Sequence, residues 1–185
     1  AFMFYVILSI WALMEYIQRP QWRYLILIGL FSGCAMLNKW VTGLLVFEGL
    51  LVYSLMQGVK LLPKNSLRLG FSVIIAFMLF LPWQLYCFTH FHDNALYEWT
   101  YNQRHFWEVL EGHSHERDFY INQLKFQFSF LQAFIFTGIL LSLFKIERFK
   151  YILPLLVMVV SLYIFFTIAP TKIASYVMVT MPLLL

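Results

Sequence analysis

Seven apolar stretches alternate with polar connections along the chain, at about 1–17, 24–37, 41–56, 69–88, 126–144, 151–168 and 173–185. Runs of this kind approach the roughly 20 residues that carry a helix across a bilayer. The pattern predicts an all-α, polytopic transmembrane bundle of about seven spans, the first and last cut short by the ends of the chain. Pro20 closes the first stretch, because it has no amide hydrogen to donate. In the second, Gly29, Ser32, Gly33, Cys34 and Ala35 are small enough for close helix contact. Alternating strands of about ten residues, the mark of a membrane β-barrel, are missing. One long polar connection, 89–125, interrupts what otherwise reads as a single transmembrane domain over 1–185. Within it, Trp99, Phe106, Trp107 and Leu110 recur at helical spacing, which predicts an amphipathic helix lying in the interface.

Each crossing inverts the chain, so the connections near 18–23, 57–68 and 145–150 share one face. They carry Arg19, Arg23, Lys60, Lys64, Arg68, Lys145, Arg148 and Lys150 against the single acid Glu147. The positive-inside bias makes that face cytoplasmic. The opposite face then holds Lys39, Lys172 and the long connection, with all five histidines and six of the nine acids. Cations and histidines gathered on one face suit an anionic, membrane-borne ligand.

Composition sharpens this picture. The chain is 62% hydrophobic and 12% charged, against about a quarter charged in soluble domains, and its mean hydropathy is +0.74. That is an integral membrane protein. The net charge of +4 reflects residues that set topology, so no nucleic-acid partner is implied. Cys34 and Cys87 both fall inside predicted spans and read as buried free thiols.

Candidate chemistry sits on the external side. Lys39 and Lys172 stand where apolar stretches break, and each can either snorkel to the interface or hold a phosphate. Arg104 and His113 lie in the long connection, with Glu111 able to orient either one. Tyr176 is four residues beyond Lys172 and shares its face if both are helical. Glu98, Glu108, Glu116 and Asp118 read as a solvated face. His90-x-His92 and His113-x-His115, completed by Asp93 or Glu116, would suit a divalent metal only on extended backbone, since residues two apart on a helix diverge. No metal site or cofactor is assigned on this ground. Glu48 lies mid-span, where a carboxylate is costly and so marks function by default; Glu15 can reach Arg19 one turn on.

Three stretches carry a resemblance. The first runs from Gly29 and Gly33 through Asn38, Lys39 and Trp40 to Gly43. The second runs from Leu81-Pro82-Trp83 through Arg104 to Glu111-Gly112-His113-Ser114 and Phe119-Tyr120. The third is Lys172 with Tyr176 and Pro182. In order and spacing they resemble the GT-C glycosyltransferases related to protein O-mannosyltransferases and to the aminoarabinose transferases that modify lipid A. Asn38, Trp40 and Val179 depart from that family's usual residues. The resemblance implies an inverting transfer of a hexosyl or pentosyl group from a polyprenyl-phosphate donor. The acceptor is a lipid, glycan or protein at the external face, by closer likeness to bacterial members the periplasmic side of an inner membrane. Lys39, Arg104, His113 and Lys172 would bind the donor phosphate, with Glu111 and Tyr176 in support. Cations placed at the leaving phosphate stabilise its developing charge, and arginine adds a two-pronged fork. The family's acidic base lies in a first external loop upstream of these helices, so the chain reads as a fragment without its own base. A transporter, with Glu48 and Gln84 along a path, and a non-catalytic lipid-phosphate-binding subunit are the alternatives.

Overall fold

The computed structural model describes residues 1–129, 131–144 and 146–184. Among these the α-helices are α1 Phe2–Gln18, α2 Trp22–Asn38, α3 Leu45–Met56, α4 Leu62–His90, α5 His92–Arg104, α6 Phe119–Phe128, α7 Leu131–Leu143, α8 Ile146–Ile168 and α9 Met181–Leu184. Among the described residues most of each of the seven apolar stretches is helical, and the protein is an all-α helical membrane protein. Two helical stretches, Val59–His90 and Glu147–Ile168, are long and apolar enough to cross a bilayer. The pair Phe119–Phe128 and Gln132–Leu141, bent by 100°, makes a third if counted as one span. The apolar helices Phe2–Gln18, Trp22–Asn38, Thr42–Met56 and Ala174–Leu184 are shorter. Even the 17 residues of α1 rise only about 25 Å at 1.5 Å each, under the hydrocarbon thickness of about 30 Å. Length and composition thus qualify two or three spans where the apolar pattern predicts about seven. Apolar character alone does not set helix length.

Several boundaries differ from the expected ones. Most of the predicted basic loop 57–68 is helix, with Lys64 and Arg68 riding on α4. Pro63 is no obstacle there, because a first-turn residue has no intrahelical amide bond to lose. Pro82 lies inside α4, as it does inside the predicted stretch 69–88. The predicted helix 126–144 is divided at Ser129, whose φ of 42° and ψ of −120° leave the helical region. Phe130 of that stretch, Lys145 of the predicted basic turn and the terminal Leu185 lie outside the described residues.

The chain forms two compact units, Ala1–Leu85 with Leu143–Met158, and Tyr86–Ser142 with Val159–Leu185. In the first, α1 and α2 form a hairpin about Pro20 and pack along their length. Val6, Ile10, Leu13 and Ile17 make the buried stripe of α1; Leu25, Ile28, Ser32 and Ala35 make that of α2. Lipid removes the hydrophobic drive between helices, so close van der Waals contact must hold them. Gly29 and Gly33 provide it: a Cβ added at either would stand 2.6 Å from the Ser72 carbonyl oxygen or 2.8 Å from that of Ala76, both on α4. Glu15 accepts a bond from the Tyr24 hydroxyl at 3.2 Å, and Arg23 donates to the same hydroxyl at 3.0 Å. Tyr24 therefore takes the place expected for Arg19.

In the second unit, α5 holds Trp99 but ends at Arg104, part-way along the predicted amphipathic helix. Phe106 turns its ring edge to Phe165, Trp107 stands 82% exposed and Leu110 is buried. Tertiary pairing of Leu110, described below, outweighs the helical spacing. Tyr120, fully buried, meets Tyr163 edge to face, and Phe166 stacks on Tyr176.

Candidate phosphate-binding site

The second unit brings the middle of the long connection against the residues that follow α8. Leaving α8 at Ile168, the chain meets Pro170, which lacks an amide donor. Ile173 is extended, with φ −127° and ψ 129°. On the other side, Glu111 and Gly112 have φ of 54° and 73°, and the His113 amide donates to the Leu110 carbonyl at 3.0 Å. Two successive positive-φ residues closed by that bond are the geometry of a type I′ turn. Gly112 takes such a φ without steric cost. The turn sends His113 and Ser114 back along the chain, where Ser114 pairs with Thr171 as an antiparallel bridge.

The junction is bonded through backbone and hydroxyl groups. The Lys172 amide donates to the His113 carbonyl at 3.1 Å. The Thr171 hydroxyl, fully buried, donates to the Glu108 carbonyl at 2.7 Å and accepts from the Leu110 amide at 3.1 Å. The Tyr120 hydroxyl donates to the Ile173 carbonyl at 3.3 Å and accepts from its amide at 3.1 Å.

Lys172 is only 5% exposed. Its Nζ donates to the Ala169 carbonyl at 3.0 Å, and among the described residues no carboxylate forms an ion pair with it. A buried cation beside a neutral acceptor retains N–H donors for an anionic oxygen. The half-buried His113 has its Nε2 3.8 Å from Glu111 Oε2. Glu111 in turn accepts from the Tyr101 hydroxyl at 2.5 Å. That bond, foremost, pushes the Tyr101 pKa up to about 12, with lesser contributions from desolvation and the Glu111 charge. Arg104 is held elsewhere. It pairs with Glu108 at 2.7 Å, with both side chains about half exposed, and this pairing raises its pKa further.

Of the residues singled out from sequence, His113, Glu111 and Lys172 come together through this junction, and Arg104 adjoins it through Glu108. Tyr176 does not share a helical face with Lys172, because extended Ile173 and a 3-10 turn, Ala174–Tyr176, separate them. Lys39 belongs to the first unit, where it closes the end of α2 and its exposed ammonium lies 5.8 Å over the Phe2 ring. Glu48 is half-buried on α3. His90 contacts Thr89 and the Tyr86 carbonyl, and His115 stacks on Phe119. Among the described residues no three His, Cys, Asp or Glu side chains are grouped to hold a metal ion.

Sequence reading gives no role to Thr171, and meets Tyr120 only as part of the resemblance. Hydroxyl side chains usually bond backbone nearby, whereas these reach partners 53 to 63 residues away. No local pattern marks them. Glu108 is different, since its place four residues after Arg104 is a visible helical pairing distance.

A family model described as dolichyl-phosphate-mannose-protein mannosyltransferase matches residues 1–86. No curated protein and no solved structure matches the chain. The matched stretch contains the close-packed glycines of α2 and Lys39, and it points to membrane glycosyltransferase activity of a mannosyltransferase-like kind. Over those first 86 residues, a little under half of the chain, it is similar to a GT-C glycosyltransferase-like family.

Proposed function

We propose that the protein transfers a sugar from a polyprenyl-phosphate donor to an acceptor at the external membrane face, with inversion. Lys172 holds the donor phosphate, with His113 beside it and Arg104 available on exchange of its Glu108 partner. The observation that carries this is the Lys172 ammonium, buried against a neutral carbonyl and tied by its backbone to His113. Buried charges are ordinarily paired, and a phosphate oxygen is the partner that a lipid-linked donor would bring. As the sugar leaves, negative charge grows on that phosphate, and a preorganised cation in a poorly hydrated site stabilises it.

Lys39 is proposed as a donor-phosphate ligand on the resemblance of its helix end and its place in the family-matched stretch, and is tested by its own Lys39→Ala variant. Glu111 is assigned to orienting His113, and Tyr176 to packing on Phe166 in support. The charge bias between the two sides supports the external face, and the likeness to bacterial transferases supports a periplasmic one. The acceptor is a lipid, glycan or protein.

The test is transfer by the full-length protein in proteoliposomes supplied with a polyprenyl-phosphate-linked mannose. Lys172→Ala should abolish most transfer and weaken donor binding. Undiminished transfer with unchanged donor affinity removes Lys172 from the mechanism. Donor binding without transfer by wild type, across a panel of acceptors, would instead favour the non-catalytic lipid-phosphate-binding subunit.

A further inference from the structure

We infer that Thr171 is a positioning residue: its buried hydroxyl latches the 108–114 segment onto the Lys172 segment, so that Lys172 and His113 meet a ligand as one preformed unit. The inference rests on the donor-phosphate reading of Lys172. Its own support is geometric. One hydroxyl serves two main-chain groups of the facing segment, donating to Glu108 and accepting from Leu110. It does so at the residue next to Lys172, where Ser114 also pairs with Thr171. Tyr120 repeats the arrangement on the other side of Lys172, closing both main-chain groups of Ile173 with one hydroxyl. Residues 171, 172 and 173 are therefore each anchored, and the Lys172 amide itself ends on His113.

Such anchoring matters at this place. The segment has left α8 and cannot draw on helical bonds to hold its shape, and Pro170 contributes no donor. A lysine carries several rotatable bonds, so ordering it costs affinity unless its backbone is already fixed. A ligand meeting a preordered segment does not have to supply that order. Thr171 touches no reacting atom; it acts through Lys172 and His113.

The experiment uses the full-length protein in detergent micelles, with undecaprenyl phosphate as the probe. Amide hydrogen exchange reads the latch directly, and probe affinity reads its purpose. Thr171→Val removes the hydroxyl and leaves the buried Leu110 amide and Glu108 carbonyl unpaired. Exchange across 108–114 and 171–173 should rise about tenfold or more while α1 to α3 stay unchanged. Probe affinity should fall by a similar factor. Thr171→Ser, which keeps the hydroxyl, should restore both. In a Lys172→Ala background, Thr171→Val should weaken the probe no further, because the latch has nothing left to position.

Unchanged exchange in Thr171→Val overturns the latch. So does an equal loss of affinity with and without Lys172, since Thr171 would then act independently. Equal probe binding by wild type and Lys172→Ala sinks the donor-phosphate reading, and with it the positioning role, reducing Thr171 to a structural clamp. Should valine unfold the chain, Tyr120→Phe removes the second hydroxyl and is read by the same two measurements.

Discussion

The amide of Lys172 donates to the carbonyl of His113 across 3.1 Å, joining residues 59 positions apart in the chain. One segment follows a membrane-length helix, and the other emerges from a turn in the long polar connection. Their pairing joins two separate sequence features at one junction. It also ties the backbone of Lys172 to main chain that a type I′ turn holds in place.

The Lys172 ammonium, proposed above to hold the donor phosphate, should weaken the fold. Lys172→Met keeps the unbranched stem and removes a buried ammonium whose partner is a neutral carbonyl. Replacing buried charge by apolar side chains is often neutral or stabilising. The variant should therefore unfold in detergent at the same or a higher temperature than wild type, while transfer drops by about a hundredfold. A clear loss of thermal stability would mark Lys172 as structural instead.

Gly112 should resist replacement although there is space around it. A Cβ there meets nothing within 4 Å, but φ is +73°, a conformation that costs an L residue about 1–2 kcal/mol. Gly112→Ala should loosen the turn, raise amide exchange at His113 and Ser114, and lower donor affinity. Substituting Gly138, which is equally open and has no positive φ, is the control and should leave those amides unchanged.

At Gly33 the obstacle is space. A Cβ would stand 2.8 Å from the Ala76 carbonyl oxygen and 3.1 Å from its Cα, and backbone cannot yield as a flexible side chain can. Gly33→Ala should cost about 1–3 kcal/mol by overpacking. Thermal unfolding of the detergent-solubilised protein measures the loss, and Gly70→Ala, with open space around it, should do far less.

Tyr101 sets a pH response. Its folded pKa, raised to about 12 from 10.0, comes chiefly from the bond donated to Glu111. Between those values the folded chain keeps a proton that the unfolded chain has lost, so stability must fall as pH rises. The contribution is fully present below pH 10 and gone above about 12. Among the late-ionising tyrosines seen by tyrosinate absorbance, Tyr101→Phe should remove one and Glu111→Gln should shift one back toward 10. Loss of an ordinary rather than a late-ionising group in Tyr101→Phe, with no shift in Glu111→Gln, would show that the hydrogen bond is not formed.

Glu108 should restrain Arg104. The pair is half exposed, so its worth is about 1 kcal/mol at most. Glu108→Gln should leave the unfolding temperature nearly unchanged and strengthen donor binding by no more than about fivefold. The gain should shrink as salt is added. Weakened binding would mean that Arg104 does not exchange Glu108 for phosphate.

The helical class is plain from the apolar runs because hydropathy depends on composition. The buried stripes of α1 and α2 follow from a period of 3.6, and the small residues at Gly29 and Gly33 announce a close approach. Boundaries are less legible. The basic stretch 57–68 reads as a loop yet is mostly helix, and the Trp99 to Leu110 periodicity overruns the end of α5. In the second case Leu110 has a partner in Thr171, and local spacing carries no information about it.

Residue types alone, then, established a helical membrane protein, a likeness to a glycosyltransferase family over its first 86 residues, and Lys172, His113, Glu111 and Arg104 as candidates. These follow from side-chain chemistry and near-neighbour periodicity, which a chain displays without folding. Folding decided the rest: that Glu111 serves His113 and Tyr101 while Glu108 takes Arg104, that Tyr176 leaves the face of Lys172, and that Thr171 and Tyr120 hold the junction. Each depends on a hydrogen bond or backbone path set by the packing of distant segments, and spacing along a sequence does not encode such distances.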